Sequence, residues 1–325
     1  MIAFLIRKLS YGFLILVGIN LLTFVLFFKV NTPDDMARMQ LGGKRITPEA
    51  IEKWKIERGY DKALFFEDQA QGMEKLTQTL FYKTSKQLFT FSFGPSDGGR
   101  DISGEIMRRA PASLMLALPS FVLGMGISIS IALVLAFFRG TYLDFWGTIV
   151  CVVLMSISAL FFIVAGQFMF SKVLQWLPVS GFSWGQESWR FLCLPIAISV
   201  LARIGGEVRF NRSVFLEEID KDYVRTAKAK GLSEFQVLFG HVLRNALIPI
   251  ISSSVAVIPL LFMGSLLVES FFSIPGLGSY LIEAIGAQDF AIVRSMVFVG
   301  SVLYILGLIL TEVCYAWADP RIRLQ

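Results

Sequence analysis

Six apolar runs dominate the chain, at approximately residues 9–30, 113–138, 145–172, 191–210, 250–270 and 293–317. A helix crossing about 30 Å of hydrocarbon needs roughly 20 such residues, because every backbone polar group must be satisfied within the segment. The runs therefore predict an all-α, polytopic membrane protein with six transmembrane helices and both termini on one side. Composition agrees, since 55% of residues are hydrophobic and only 17% are charged. Arg7 and Lys8 precede a first run that is longer than the roughly 7 to 15 residues of a signal-peptide core and lacks a small-x-small cleavage site. It reads as an uncleaved first span.

Basic residues near span ends are retained in the cytoplasm, which sets the orientation. Arg7 and Lys8, Arg139, and Arg321 with Arg323 all fall on one side. Residues 203–244 add eight Lys or Arg to that side, whereas residues 270–292 carry none. Both termini and the 203–244 region are thus expected in the cytoplasm. Residues 31–109 are basic too, but a segment of that length escapes the rule and can lie outside. Within it, "TPEAIEKWKIERG" offers Thr47 as a cap, Pro48 at the first helical position and Gly59 as a stop. The expected plan is an N-terminal span (1–30), an extracytoplasmic cap segment (31–109), a five-span domain (110–317) with a cytoplasmic loop at 211–249, and a tail (318–325).

Much chemistry is excluded. A single histidine, His241, removes most nucleophile-base schemes and any His-rich metal site. Cys151, Cys193 and Cys314 sit in apolar runs and form no disulfide framework. "RMQLGGKR" lacks the first glycine and the final Ser or Thr of a phosphate loop. The net charge of +5 is dispersed over loops, which argues against a nucleic-acid partner. Arg203 and Glu207 lie one turn apart near the inner end of the fourth run, where pairing or snorkelling accounts for them. No relay of Asp, Glu and His crosses the bilayer. Gly124, Ser128 and Ala132 place small residues four apart on the second run, a surface that another helix can approach closely.

What remains unexplained is a polar stretch between two apolar runs, "DYVRTAKAKGLSEFQVLFGHVLRNALIP", from Asp222 to Pro249. Asp222 to Lys230 is rich in strong helix formers, and Gly231 suits the left-handed residue that ends a helix. Ser233 with Gln236 three residues on reads as a capping box that starts a second helix. On the first helix, Tyr223, Thr226, Ala227 and Lys230 share a face that offers an aromatic anchor among small residues; the face from Val224 to Lys228 is the alternative. On the second, Phe235, Leu238, Phe239 and Val242 form a stripe suited to packing on the membrane domain. An amphipathic helix lying on anionic lipid is a competing account, but it has no need of the Gly231 turn and a second capped helix.

This stretch resembles the cytoplasmic loop of ABC-transporter permease subunits, in the form used by dipeptide and oligopeptide importers. The general pattern of those loops is Glu-Ala-Ala, three residues, Gly, nine residues, Ile-x-Leu-Pro. Here Arg225, Thr226 and Ala227 precede Gly231, and His241, Leu243 and Arg244 stand where the Ile-x-Leu-Pro would be, so the chain departs from the general pattern and is similar to the peptide-importer variant. "VESFFSIPGLGSYLIEAIGAQDF" is similar to the outer loop before the last span, with Glu269, Pro275, Gly276, Gly278 and Asp289 in place. "EVCYAWADPRIR" resembles the C-terminal signature, with Glu312 where Asp is common. "WLPVSG" at 176–181 fits as well.

The resemblance implies a type I import permease core made of spans two to six, preceded by an extra N-terminal span and the external segment, and places the chain as the first of two permease subunits. It implies a second homologous permease, two ABC ATPase subunits that hold ATP and magnesium, and an extracytoplasmic solute-binding protein, with surrounding lipid. It implies no catalytic residue, metal or cofactor on this chain. Contact with the ATPase is carried over to Asp222, Tyr223, Arg225, Thr226, Ala227, Lys228, Lys230 and Gly231. Support of that loop falls to Ser233, His241, Leu243, Arg244 and Asn245. Peptide is the implied cargo, with nickel chelates or glutathione in some branches. A secondary transporter or channel, or a receptor that moves nothing, are the other classes the composition allows.

Overall fold

The computed structural model describes residues 2–42, 46–67, 74–255 and 257–318. The Gly43–Lys44 pair and the tail with Arg321 and Arg323 lie outside the described residues. Among the described residues the secondary structure is helical, apart from one isolated bridge between Pro95 and Asp101. Of the helices among the described residues, five are long and apolar enough to cross a membrane, or six if one bent pair counts as a single span. The chain divides into two compact units, Met1–Arg108 with Tyr280–Ile305, and Arg109–Ser279 with Leu306–Gln325.

In the first unit, α1 (Ile2–Val25) runs on through a π-type turn to Val30, giving a span from Ile6. Thr32 and Asp35 then form a reciprocal capping box that starts α2 (Pro33–Leu41), and Gly42 ends it at φ 62°. The expected short helix is present as α3 (Pro48–Arg58), stopped by Gly59 at φ 69°; Thr47 precedes it, but its side chain makes no cap bond. α4 (Leu80–Phe89) is capped by the Thr79 hydroxyl. The core is aromatic: the Phe24 ring meets those of Phe28, Phe65 and Phe81 within 5.3 Å, and Met36, Ile51, Trp54 and Leu80 are buried around them. A segment with few long apolar runs builds a core this way because each ring buries a large area from few residues.

The second unit departs from the apolar runs at their ends. α5 (Ile102–Phe137) starts eleven residues before the run predicted from 113, and its 36 residues span about 54 Å at 1.5 Å each, more than a bilayer needs. The run expected at 145–172 is two helices, α6 (Tyr142–Ser156) and α7 (Ala159–Gly166, continuing to Val173), at 91° to each other. Ile157 is extended there and the Ser158 hydroxyl caps α7 through Leu160 N–H. α8 (Ser188–Ile219) runs nine residues past the predicted end at 210.

The largest correction concerns the fifth span. The structure starts it at Glu234, as the continuous helix α10 (Glu234–Val255), rather than at 250. The segment expected as a separate loop helix is therefore the first half of that span. Its inner stripe consists of Val237, Leu238, Val242, Ala246 and Ile250, all buried. Phe235 and Phe239, expected inside, point outward and stack on each other at 4.3 Å. After Val255 the chain passes through a 3-10 stretch (Ile258–Met263) to the short α11 (Leu266–Phe271), then α12 (Leu277–Gly286) and the last helix, α13 (Phe290–Ala318).

The small-residue stripe on α5 does what its spacing predicts. Ala132 is fully buried, Ser128 accepts a hydrogen bond from Asn211 Nδ2 of α8 at 3.1 Å, and a Cβ on Gly124 would lie 3.5 Å from Glu207 Oε2. Opposite, Gly205 of α8 lets that helix meet α6 closely, since a Cβ there would fall 2.5 Å from the Cys151 carbonyl.

Candidate functional site

Between α8 and α10 the exposed connection contains α9 (Asp222–Ala229), ended by Gly231 at φ 83°. Lys221 precedes the helix in extended backbone and Asp222 places an acid in its first turn, which suits the helix dipole. One face is buried: Val224 and Ala227 join a cluster with Ala132, Ala136, Phe215, Leu238 and Val242, and Tyr223 packs on its edge. The opposite side exposes Asp222, Arg225, Thr226, Lys228 and Ala229, and Lys230 and Gly231 follow it in solvent.

This division splits both faces expected from the sequence. Tyr223 and Ala227 were candidates for contact with a partner; the structure turns them toward this chain instead. The Tyr223 hydroxyl donates to Glu218 Oε2 at 2.7 Å, and Glu218 also takes the Lys221 ammonium. Burial foremost, and then the neighbouring Glu218 carboxylate, push the Tyr223 phenol up to about 12. It therefore remains a protonated donor at ordinary pH. Thr226, Arg225, Lys228 and Lys230 keep the outward position, with Arg225 and Lys228 held loosely by Asp222 and Glu234 at 3.5 and 3.7 Å.

The supporting residues separate in the same way. Ser233 and Gln236 form the expected capping box, fixing the start of α10 just past the Gly231 turn. Leu243 packs against the buried cluster, Asn245 lies within hydrogen-bonding reach of the Tyr223 hydroxyl, and His241 and Arg244 are exposed.

A clasp beneath this loop was not foreseen. Arg212 of α8 grips Asp144 of α6 with two bonds, Nε to Oδ1 at 2.7 Å and Nη2 to Oδ2 at 2.8 Å, and Asp144 Oδ2 also accepts the Gly140 N–H at 3.1 Å. Arg139 adds a bridge to Asp220 at 3.1 Å. Parallel Arg-carboxylate bonds of this kind fix geometry as well as distance. The one sequence signal was Asp144, an acid immediately ahead of the apolar run that begins at 145. The expected Arg203–Glu207 pair is present at 2.9 Å, and both residues line a cavity of about 140 Å³ together with Asn211, Ser253 and Ser254.

At 264–279 the outer-loop residues form a knot around one carboxylate. Glu269 is fully buried; its Oε1 accepts the Ser265 N–H at 3.0 Å and its Oε2 the Ser279 N–H at 3.1 Å. The Gly278 N–H and the Ser113 hydroxyl are further donors, and Ser113 accepts the Leu277 N–H at 2.7 Å. A Cβ at Gly276 would collide with the Glu269 carboxylate, and one at Gly278 would lie 2.7 Å from the Ser265 backbone. Pro275 is exposed at the turn. Asp289 belongs to the first unit, where it caps α13 through the Ile292 N–H and accepts the Asp97 N–H at 2.8 Å. Burial drives its carboxyl above the usual range, with Asp97 adding to the effect.

Long apolar helices with a polar loop clasped to them define a polytopic membrane protein. The chain belongs to the family of binding-protein-dependent transport system inner membrane components, whose model matches residues 124–324. The model for the N-terminal part of such components matches residues 1–117. Similar curated proteins include the oligopeptide transport system permease AppB of Bacillus subtilis (strain 168), 31% identical over 99% of this chain and all of the relative. The dipeptide transport system permease DppB of the same organism is 30% identical over 76% of this chain and 79% of its own length. The di/tripeptide transport system permease DppB of Pseudomonas aeruginosa (strain UCBPP-PA14) is 30% identical over the whole of both chains.

Proposed function

We propose that this chain is the permease subunit of an ATP-driven importer of short peptides, pairing with a second homologous permease around a central path. Two ABC ATPases, which carry ATP and magnesium, dock on its cytoplasmic face, and an extracytoplasmic solute-binding protein delivers the cargo. The names of the full-length relatives support peptide as that cargo. The observation that carries the coupling role is α9: a short helix with an exposed polar side and a buried side packed on α5, α8 and α10. Such a helix transmits motion because a push on its outer side moves the spans beneath as one body. ATP binding then selects a membrane conformation through contacts that differ between the two states.

By this reading Asp222, Arg225, Thr226, Lys228 and Lys230 meet the ATPase, while Tyr223, Ala227, Leu243 and Asn245 hold the helix in place. Glu269, Gly276 and Gly278 shape the outer loop.

The test is uptake of labelled tripeptide into vesicles holding the reconstituted complex. Uptake is expected only with ATP and the ATPases present; equal uptake without them would point to a secondary transporter. Both termini are assigned to the cytoplasm, so a reporter after Gln325 reads inside and one near Gly72 reads outside. The reverse pattern would overturn the orientation.

A further inference from the structure

The first unit contains a cavity of about 380 Å³ whose lining includes Glu57, Arg58, Lys83, Asp97 and Arg294. Arg294, on the first turns of α13, is only 6% exposed, and among the described residues its Nε and Nη1 have no hydrogen-bond acceptor. One face of its guanidinium rests near the Phe28 ring, 5.4 Å from the centroid. The neighbouring carboxylates are already engaged. Asp97 accepts Arg58 Nε at 3.0 Å, and Asp289 accepts the Asp97 and Ile292 N–H groups. Glu57 is exposed at the mouth. A buried guanidinium is costly unless an anion answers it, and with Nε and Nη1 both lacking an acceptor a charge-assisted hydrogen bond to a carboxylate oxygen would answer it.

We infer that this cavity is a carboxylate-binding site in which Arg294 holds the anion. Lys83 stands at its rim, its ammonium 3.1 Å from where a Cβ on Gly59 would be, and adds a second positive charge at the entrance. The volume is of the order that small-ligand pockets offer, so the free C-terminus of a short peptide and a simple carboxylate are both admissible sources. The inference stands on these residues and not on the import reading.

The test uses the assembled complex in nanodiscs, without solute-binding protein or nucleotide, and follows its unfolding temperature against trialanine, trialanine amide and acetate. Trialanine is expected to raise that temperature saturably and the amide is not. A matching response to acetate assigns the site to simple carboxylates, whereas a response to trialanine alone assigns it to peptide termini; either supports the inference. Arg294→Met is expected to weaken binding about 10- to 100-fold, the loss of one charge-assisted contact pair. Lys83→Gln, at an exposed position that leaves the core intact, is expected to weaken it up to about fivefold, and Arg294→Lys to retain part of the response. No response to any carboxylate, equal response to acid and amide, or an unchanged response in Arg294→Met (or, where that variant fails to assemble, in Lys83→Gln) would overturn it. Tripeptide uptake reads the import proposal separately, so either can fail without the other.

Discussion

Replacing Glu269 by Gln keeps the side-chain volume and removes half of its acceptors. The carboxylate serves donors on both oxygens: Ser265 N–H on Oε1, Ser279 N–H on Oε2, and the Gly278 N–H and Ser113 hydroxyl besides. An amide nitrogen on either side faces N–H groups it cannot accept, in a site with no solvent exposure. Each buried donor left without an acceptor costs about 1–3 kcal/mol. Two such donors place the loss at about 4 kcal/mol, a large share of the stability a folded protein commonly has. Denaturant titration of the detergent-solubilised protein, followed by tryptophan fluorescence, measures it. Gly276→Ala is expected to destabilise through the same site, by forcing a methyl group against that carboxylate. A change below about 1 kcal/mol in Glu269→Gln would refute the knot as the organiser of the outer loop.

Gly231 has no heavy atom within 4 Å of where a Cβ would stand, so its requirement is conformational, φ 83°, and not steric. Gly231→Val is expected to insert normally, cost about 1–3 kcal/mol locally and uncouple ATP turnover from transport, whereas Asn, which tolerates that backbone, retains coupling; normal substrate-stimulated turnover in the Val variant would count against this. Asn211→Leu removes the bond to Ser128 and is expected to cost only about 0.6 kcal/mol, the usual yield of such bonds between spans; a loss of several kcal/mol in the same titration would show that the bond organises more than one helix pair. The Asp289 carboxyl is raised in the folded state, so its contribution to stability is present below the unfolded value near 3.8 and is lost as pH rises through the higher folded one. Stability of the wild type relative to Asp289→Asn should therefore fall on going from acid to neutral pH, and a rise would contradict the assignment.

Hydropathy revealed the spans because lipid imposes one requirement along the whole run, but it misplaced their ends wherever charge is matched within the protein. α8 continues to Ile219 because Arg203 pairs with Glu207 and Arg212 with Asp144, contacts a window average counts only as polarity. α10 begins at Glu234 because the Ser233 box starts a helix whose buried stripe, Val237 to Ile250, stays in register with the span; the box was readable, the continuity was not. The 91° bend between α6 and α7 is marked in an otherwise apolar run only by Ser156 and the capping Ser158. The position and ends of α9 were legible from helix formers and Gly231. Its buried face was not, since Tyr223 and Thr226 are equally plausible inward until Glu218 is seen beneath the phenol. The Glu269 knot was invisible for a different reason: one of its donors, Ser113, lies far away in sequence.

The proposed docking of an ATPase on the exposed side of α9 is tested by cross-linking. In a complex whose Cys151, Cys193 and Cys314 are replaced, Thr226→Cys and Ala229→Cys are expected to cross-link to the ATPase subunit, with a yield that changes on ATP binding, while Val224→Cys, buried against the spans, does not. Cross-linking from Val224→Cys, or none from either exposed position in an ATP-hydrolysing complex, would contradict the assignment of α9 as the coupling element.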